Sequence, residues 1–253
     1  MTQPPLRQPE EATRPAFVFR INPALDVAAL AATYAETSRV RIKDFLCEDG
    51  LAAFYQDLET RDDWWHLMRT DAGVLELDGA AKRRMSARRR AALDAEVHAL
   101  ARRGFQYRYE GLRVPEGDAA GAGDPLTAFA ELMSSAPMLD LLRAITGAGA
   151  LAFTDGQATA YGPGDFLTCH DDDVKGKNRL AAYVFGLTPG WRTEYGGLLL
   201  FHARDGAHVT GHVPRFNTLD LFAVPQLHSV SMVTPAAPHR RYAVTGWLRA
   251  GER

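Results

Sequence analysis

Hydrophobic positions follow two different rhythms along this chain. Between Asp26 and about residue 150, apolar residues recur at spacings of three and four, which predicts helices. The stretches 26–37 (DVAALAATYAET) and 48–59 (EDGLAAFYQDLE) both follow this rhythm, and SRVRIKDFL (38–46) between them alternates as a short strand would. A third helix is predicted over 86–103, capped by Ser86, buried along Leu93, Val97 and Leu100, and stopped by Gly104. Residues 116–125, rich in glycine and alanine, read as a loop. Asp124-Pro125 then opens one helix, and Ser135 with Pro137 opens another that Gly147 ends.

From residue 151 the rhythm changes to short alternating runs. LAFTDGQATAY, DFLTCHDD, RLAAYVFGL, GGLLLFHA, AHVTGHV, NTLDLFAV, HSVSMV and RRYAVTGWLR are eight such segments, divided by turn residues such as Gly162-Pro163-Gly164 and Asp205-Gly206. Strands at this spacing with no helices between them predict a sandwich or barrel, and eight suit a double-sheet jelly roll. The expected class is α+β: a double-stranded β-helix (jelly roll) core over 151–253, with a mainly helical support region, 16–150, packed on it. The first fifteen residues, with four prolines and no apolar period, read as disordered.

Composition adds little to this picture. With 46% hydrophobic residues and a net charge of −2, the 253-residue chain has no global field to draw it onto nucleic acid or a membrane. The N-terminus lacks an apolar signal core, and no run is long enough to span a bilayer. Cys47 and Cys169 form no disulfide framework, which fits a reducing cytoplasm. A local charge bias remains, with eight basic residues between Lys82 and Arg103. That face either meets an acidic or ribosomal partner or, more plainly, is solvated.

Candidate chemistry centres on TCHDDDVKG, residues 168–176. On a regular strand His170 and Asp172 share one face, and Asp171 and Asp173 point away. An imidazole and a carboxylate so placed can share a metal ion, with the third ligand coming from elsewhere. Two histidines and one carboxylate with open positions form the facial triad of non-haem Fe(II) oxygenases. Seven other histidines are available, and none is singled out by its type alone. His228 opens HSVSMV at a strand start; His66 and His98 lie in the helical half.

The ordered set of YGPGDFLTCHDD, GGLLLFH, FNTLDLFAVPQLHSV and RRYAVTGW resembles the 2-oxoglutarate- and Fe(II)-dependent dioxygenases. Within them it is most similar to the prolyl-hydroxylase branch, including ribosomal-protein prolyl hydroxylases and bacterial relatives. The resemblance implies iron ligands at His170, Asp172 and His228, with Arg241 binding the distal carboxylate of 2-oxoglutarate. It also matches Tyr161 to a tyrosine lining the cosubstrate pocket, although an ordinary strand-end aromatic reads equally well there. Arg240 would face the other way, and His239 and Arg249 read as surface residues. A second carboxylate donor, a tyrosine in many relatives, falls on Gly186, leaving Thr245 or water in its place. Thr168, Asp171 and Ser229 are candidate partners for the ligand histidines.

The implied reaction consumes Fe(II)-bound 2-oxoglutarate and O₂, releases succinate and CO₂, and hydroxylates an unactivated carbon. A prolyl residue of a protein, plausibly of the translation machinery, is the implied substrate. A free amino acid or small biosynthetic intermediate is the alternative, and a non-catalytic jelly-roll binding module is the reading from another class. Trp64-Trp65 and GFQYRYEGL (104–112) are placed either in a substrate groove or in the core.

Overall fold

A computed structural model of the chain describes residues 17–114 and 123–251. The expected disordered N-terminus and most of the expected 116–125 loop lie outside the described residues. Among the described residues six α-helices are present: α1 (Val27–Thr37), α2 (Leu51–Thr60), α3 (Gly79–Arg84), α4 (Ala87–Ala101), α5 (Pro125–Met133) and α6 (Ala136–Thr146). Their ends follow the local chemistry. Ser86 accepts from the Arg89 amide to cap α4, Asp124 accepts from Thr127 to cap α5, and Gly147 ends α6 at φ 69°. Leu93 and Val97 are buried along α4 as expected, while Leu100 is half-buried. Among the described residues, no helix is long and apolar enough to cross a membrane.

Twelve strands form one antiparallel sheet: β1 (Arg39–Lys43), β2 (Trp65–Thr70), β3 (Gly73–Leu77), β4 (Tyr107–Arg113), β5 (Leu151–Tyr161), β6 (Phe166–His170), β7 (Arg179–Gly186), β8 (Leu199–His202), β9 (Val209–His212), β10 (Thr218–Ala223), β11 (His228–Val230) and β12 (Arg241–Ala250). The order is β1-β10-β7-β12-β5-β4-β6-β11-β8-β9, with β2 and β3 attached at β4. All eight segments expected from residue 151 onward are strands.

Alternation along β7, β10 and β12 divides the core in two. Tyr183, Phe185, Leu219, Leu221, Val244 and Leu248 face one way, onto Leu126, Phe129, Met133 and Leu142 of α5 and α6. Ala182, Val184, Phe222 and Ala243 face the other way, toward Leu199 and Phe201 of β8. The curl of the sheet brings β8 opposite these strands and leaves an open-ended interior between them.

The helical half does more than cover this sheet. β1 pairs with β10, and β4 is inserted between β5 and β6. The sequence reading placed no strand at 65–77 or 107–113, for a reason visible in β4. Tyr107 and Tyr109 face the sheet interior, while Arg108 and Glu110 are buried on the opposite face at 7% and 8% exposure. Charged residues on a buried face disguise a central strand as a solvated one.

Candidate active site

The site is built on a register. β6 and β11 pair so that His170 and His228 stand directly opposite each other, their ring centroids 4.1 Å apart. Asp172 completes the cluster. Its Oδ1 lies 3.4 Å from His170 Nε2, and its Oδ2 lies 3.5 Å from His228 Nε2. All three candidate ligand atoms fall within 4.8 Å of one another. Two donors each about 2.1 Å from a common ion, at right angles, stand about 3 Å apart, so the cluster needs little movement to hold a metal.

Asp172 is not placed by the strand alternation expected for it. β6 ends at His170, and Asp172 lies beyond it in a left-handed conformation, φ 63°. Aspartate tolerates this region better than most residues. The turn, not strand alternation, carries its carboxylate between the two imidazoles. Asp171 is exposed, and its Oδ1 accepts from the Asp173 amide.

Both imidazoles are oriented in the same way. His170 Nδ1 lies 3.0 Å from the Thr168 carbonyl, and His228 Nδ1 lies 2.8 Å from the Gln226 carbonyl. An acceptor two residues earlier fixes the proton on Nδ1 and leaves the Nε2 lone pair for a metal. Of the expected partners, Thr168 serves through its backbone, whereas Ser229 hydrogen-bonds His202 Nε2 at 2.8 Å. Burial, with the neighbouring His170, pushes His228 down to about 4, so it is neutral near pH 7. Burial pushes the Asp172 carboxyl up, but the His170 hydrogen bond and both imidazoles outweigh it and hold the group below its ordinary value. A neutral imidazole at His228 and a carboxylate at Asp172 are protonation states that ligation requires.

These three residues line a cavity of about 400 Å³ that also contains Arg241, Tyr161 and Thr245. Arg241 and Tyr161 are register partners on β12 and β5, and the guanidinium lies 5.1 Å from the tyrosine ring centroid. Arg241 is 4% exposed, has no acidic partner within 4 Å among the described residues, and its Nε has no hydrogen-bond partner. A buried guanidinium without an anion is costly unless a ligand brings one. A carboxylate fits this vacancy chemically, since it accepts two parallel N–H bonds.

The position where many relatives carry tyrosine, Gly186, has no room for a side chain: a Cβ there would collide with the Arg215 carbonyl. Tyr183 faces away from it and donates to the Asp155 carbonyl at 3.2 Å. Thr245 lies in the cavity wall, consistent with the alternative donor.

Residues without an expected role also surround the site. Arg179 donates to the Asp172 carbonyl at 3.0 Å, and its guanidinium stacks 3.6 Å from the Trp247 ring centroid. Phe105, Tyr107 and Tyr109 form a ladder at the mouth, with successive centroids 5.8 and 5.6 Å apart and Phe105 5.5 Å from His170. Period-two aromatics in YRY were the available signal, obscured by the charges between them. Trp64, by contrast, is buried in the helical core. Arg240 does face away, bonding Glu110 and the Tyr242 hydroxyl. Arg249 and His239 are not the surface residues expected. Arg249 is half-buried against Asp155 at 2.5 Å, and His239 packs on Trp191 at 5.4 Å. His66 and His98 remain apart from the site, as expected: His66 beside Asp165 and His98 stacked on Phe166.

Residues 156–249 match the family model described as the 2OG-Fe(II) oxygenase superfamily. This segment is similar to that superfamily. The match takes in β6, β11 and β12, and therefore the histidine pair, Asp172 and Arg241. The chain is 37% identical over 95 residues to the prolyl 3-hydroxylase OGFOD1 of Xenopus laevis, covering 35% of this chain. It spans only 18% of that relative's length.

Among solved structures, a prolyl-4-hydroxylase from Pseudomonas putida aligns at TM-score 0.56 and 18% identity, covering 89% of this chain and 99% of the other. A Trichoplax adhaerens prolyl hydroxylase, solved with a hypoxia-inducible-factor peptide, aligns at TM-score 0.60 and 15% identity, covering 88% and 89%. At these identities the likeness shows a shared fold. That fold includes helices and strands well before residue 156, in line with the integration of β1 and β4 into the sheet.

Proposed function

We propose that this chain is an Fe(II)- and 2-oxoglutarate-dependent dioxygenase that hydroxylates a prolyl residue of a protein. The observation that carries the reading is the pairing, in one cavity, of three convergent ligand atoms with a buried arginine that lacks an anion. His170, Asp172 and His228 would hold the iron, and Arg241 would hold the distal carboxylate of 2-oxoglutarate against Tyr161. When bound, iron with 2-oxoglutarate and O₂ supplies oxidative chemistry that releases succinate and CO₂ and places one oxygen atom on carbon.

The protein's part is to position and to exclude. The Thr168 and Gln226 carbonyls lock both imidazoles in one tautomer. Arg179 holds the backbone of Asp172 in its left-handed turn. Val184, Leu199, Phe222 and Val230 give the interior apolar walls that keep water from the reacting centre.

The prolyl substrate is supported by the named activities of the similar proteins and by the aromatic mouth. Phe105, Tyr107 and Tyr109 present flat rings beside His170, suited to the compact apolar ring of proline. The exposed basic face from Arg83 to Arg90 suits an acidic surface next to the modified residue, as in an assembly of the translation machinery. Two free thiols, Cys47 and Cys169, suit a reducing cytoplasm. Mass spectrometry of proteins from cells with and without this chain tests the reading. A proline heavier by one oxygen atom, present only with the active chain, is expected. Modification confined to a free metabolite would replace the protein substrate with a small molecule.

A further inference from the structure

Behind the carboxylate end of the cavity sits a second buried ionic group. Arg41 and Asp220 are register partners across β1 and β10. Arg41 donates to both carboxylate oxygens, Nε to Oδ1 at 2.8 Å and Nη2 to Oδ2 at 2.6 Å, and its Nη1 donates to the Val213 carbonyl at 2.8 Å. His212 Nδ1 lies 2.8 Å from the same Oδ1. Asp220 is 3% exposed, and it shares the interior-facing side of β10 with Phe222, which lines the main cavity.

Arg41, His212, Asp220 and Arg241 all border one small hollow next to Gly186 and Ala243. Burial lowers the proton affinity of Arg241, Tyr161 and then Asp220 raise it, and Arg41 lowers it further, so the Asp220 and Arg41 charges both act on Arg241. Yet Asp220 makes no ion pair with Arg241 within 4 Å; its ion pairs are with Arg41 and His212. Two guanidinium groups against one carboxylate leave a single net positive charge, which one incoming carboxylate balances.

We propose that Arg41 and His212 hold Asp220 away from Arg241, keeping that guanidinium available for the distal carboxylate of 2-oxoglutarate. The inference rests on the site reading above and deepens it. Arg41 is a positioning residue, supplied by the N-terminal strand to a site whose candidate metal ligands and Arg241 lie more than 120 residues further on. Without it, Asp220, the one carboxylate among the described residues bordering this hollow, is free to pair with Arg241 and competes with the cosubstrate. The simpler role for Arg41, a cross-strand tie between β1 and β10, predicts a loss of stability with no selective loss of 2-oxoglutarate.

Calorimetric titration of 2-oxoglutarate into the full chain loaded with Mn(II) separates these roles without turnover. Arg41→Ala is expected to weaken 2-oxoglutarate about tenfold or more with Mn(II) affinity unchanged, and adding Asp220→Asn is expected to restore it to within about threefold of wild type. Unchanged affinity in Arg41→Ala overturns the proposal. So does a double variant as weak as the single one, since the effect would then not pass through Asp220. If Arg41→Ala fails to fold, Arg41→Lys, which keeps the charge but loses the two-pronged grip, is expected to weaken binding about threefold, again relieved by Asp220→Asn. Unchanged affinity in that variant is equally fatal. Failure of the wild-type chain itself to bind 2-oxoglutarate would instead bring down the underlying site reading.

Discussion

Arg241→Met is predicted to weaken cosubstrate binding strongly while leaving stability nearly unchanged. The side chain is 4% exposed, its Nε is unpartnered, and its only aromatic neighbour among the described contacts is Tyr161 at 5.1 Å. In the unliganded protein, that desolvated cation–π contact is worth about 2 kcal/mol. Against it stands the cost of burying an unpaired charge, and exchanging buried ionic groups for apolar ones of similar volume is often neutral or stabilising by about 1–4 kcal/mol. The two largely cancel. Thermal unfolding of ligand-free Arg241→Met should lie within a few degrees of wild type, since 1 kcal/mol corresponds to about 2–4 °C at this chain length. Cosubstrate binding loses one partner of a buried charge pair, about 2–5 kcal/mol, or on the order of a hundredfold in Kd. Calorimetry with Mn(II) and 2-oxoglutarate reads this directly. A variant that melts far below wild type yet keeps its 2-oxoglutarate affinity would refute the reasoning, because Arg241 would then be structural.

Three further outcomes follow. Asp172→Ala should abolish iron binding while Asp171→Ala retains it, measured by metal content after dialysis; equal losses would mean that the turn after β6 is misassigned. Metal-free protein should be fully stable above about pH 6.5 and lose up to about 3 kcal/mol as pH falls toward 4, because the unfolded state takes up the His228 proton first, at about 1.4 kcal/mol per pH unit. Urea unfolding across that range should show this slope, and His228→Leu should flatten it. Gly246→Ala should destabilise the fold by about 2 kcal/mol or more, since its Cβ would collide with the Asp155 backbone carbonyl and stand 2.7 Å from the Tyr183 ring; an unchanged urea midpoint would contradict this packing.

The jelly-roll half was legible because its strands alternate cleanly and its turns carry glycine and proline. The ligand set was legible through an ordered series of motifs, yet the local reason first assigned to Asp172 was mistaken. Period-two logic selected the correct residue, but a left-handed turn is what places it, and backbone handedness at aspartate leaves no periodic trace. β4 was hidden because its outer face buries Arg108 and Glu110 in ion pairs, so its hydrophobic pattern resembles that of a solvated segment. Arg179 and the Arg41–Asp220 pair were invisible for a related reason. Their roles depend on which strands become neighbours, and Arg41 of β1 meets Asp220 of β10 across 179 positions of the chain.

The central claim is that His170, Asp172, His228 and Arg241 together bind iron and 2-oxoglutarate. Anaerobic addition of Fe(II) and then 2-oxoglutarate to the folded protein tests it most directly. A weak visible charge-transfer band should appear only when both are present, vanish in Asp172→Ala, and require far more 2-oxoglutarate in Arg241→Met. Folded wild-type protein that develops no band, or a band that persists undiminished in Asp172→Ala, would contradict the assignment.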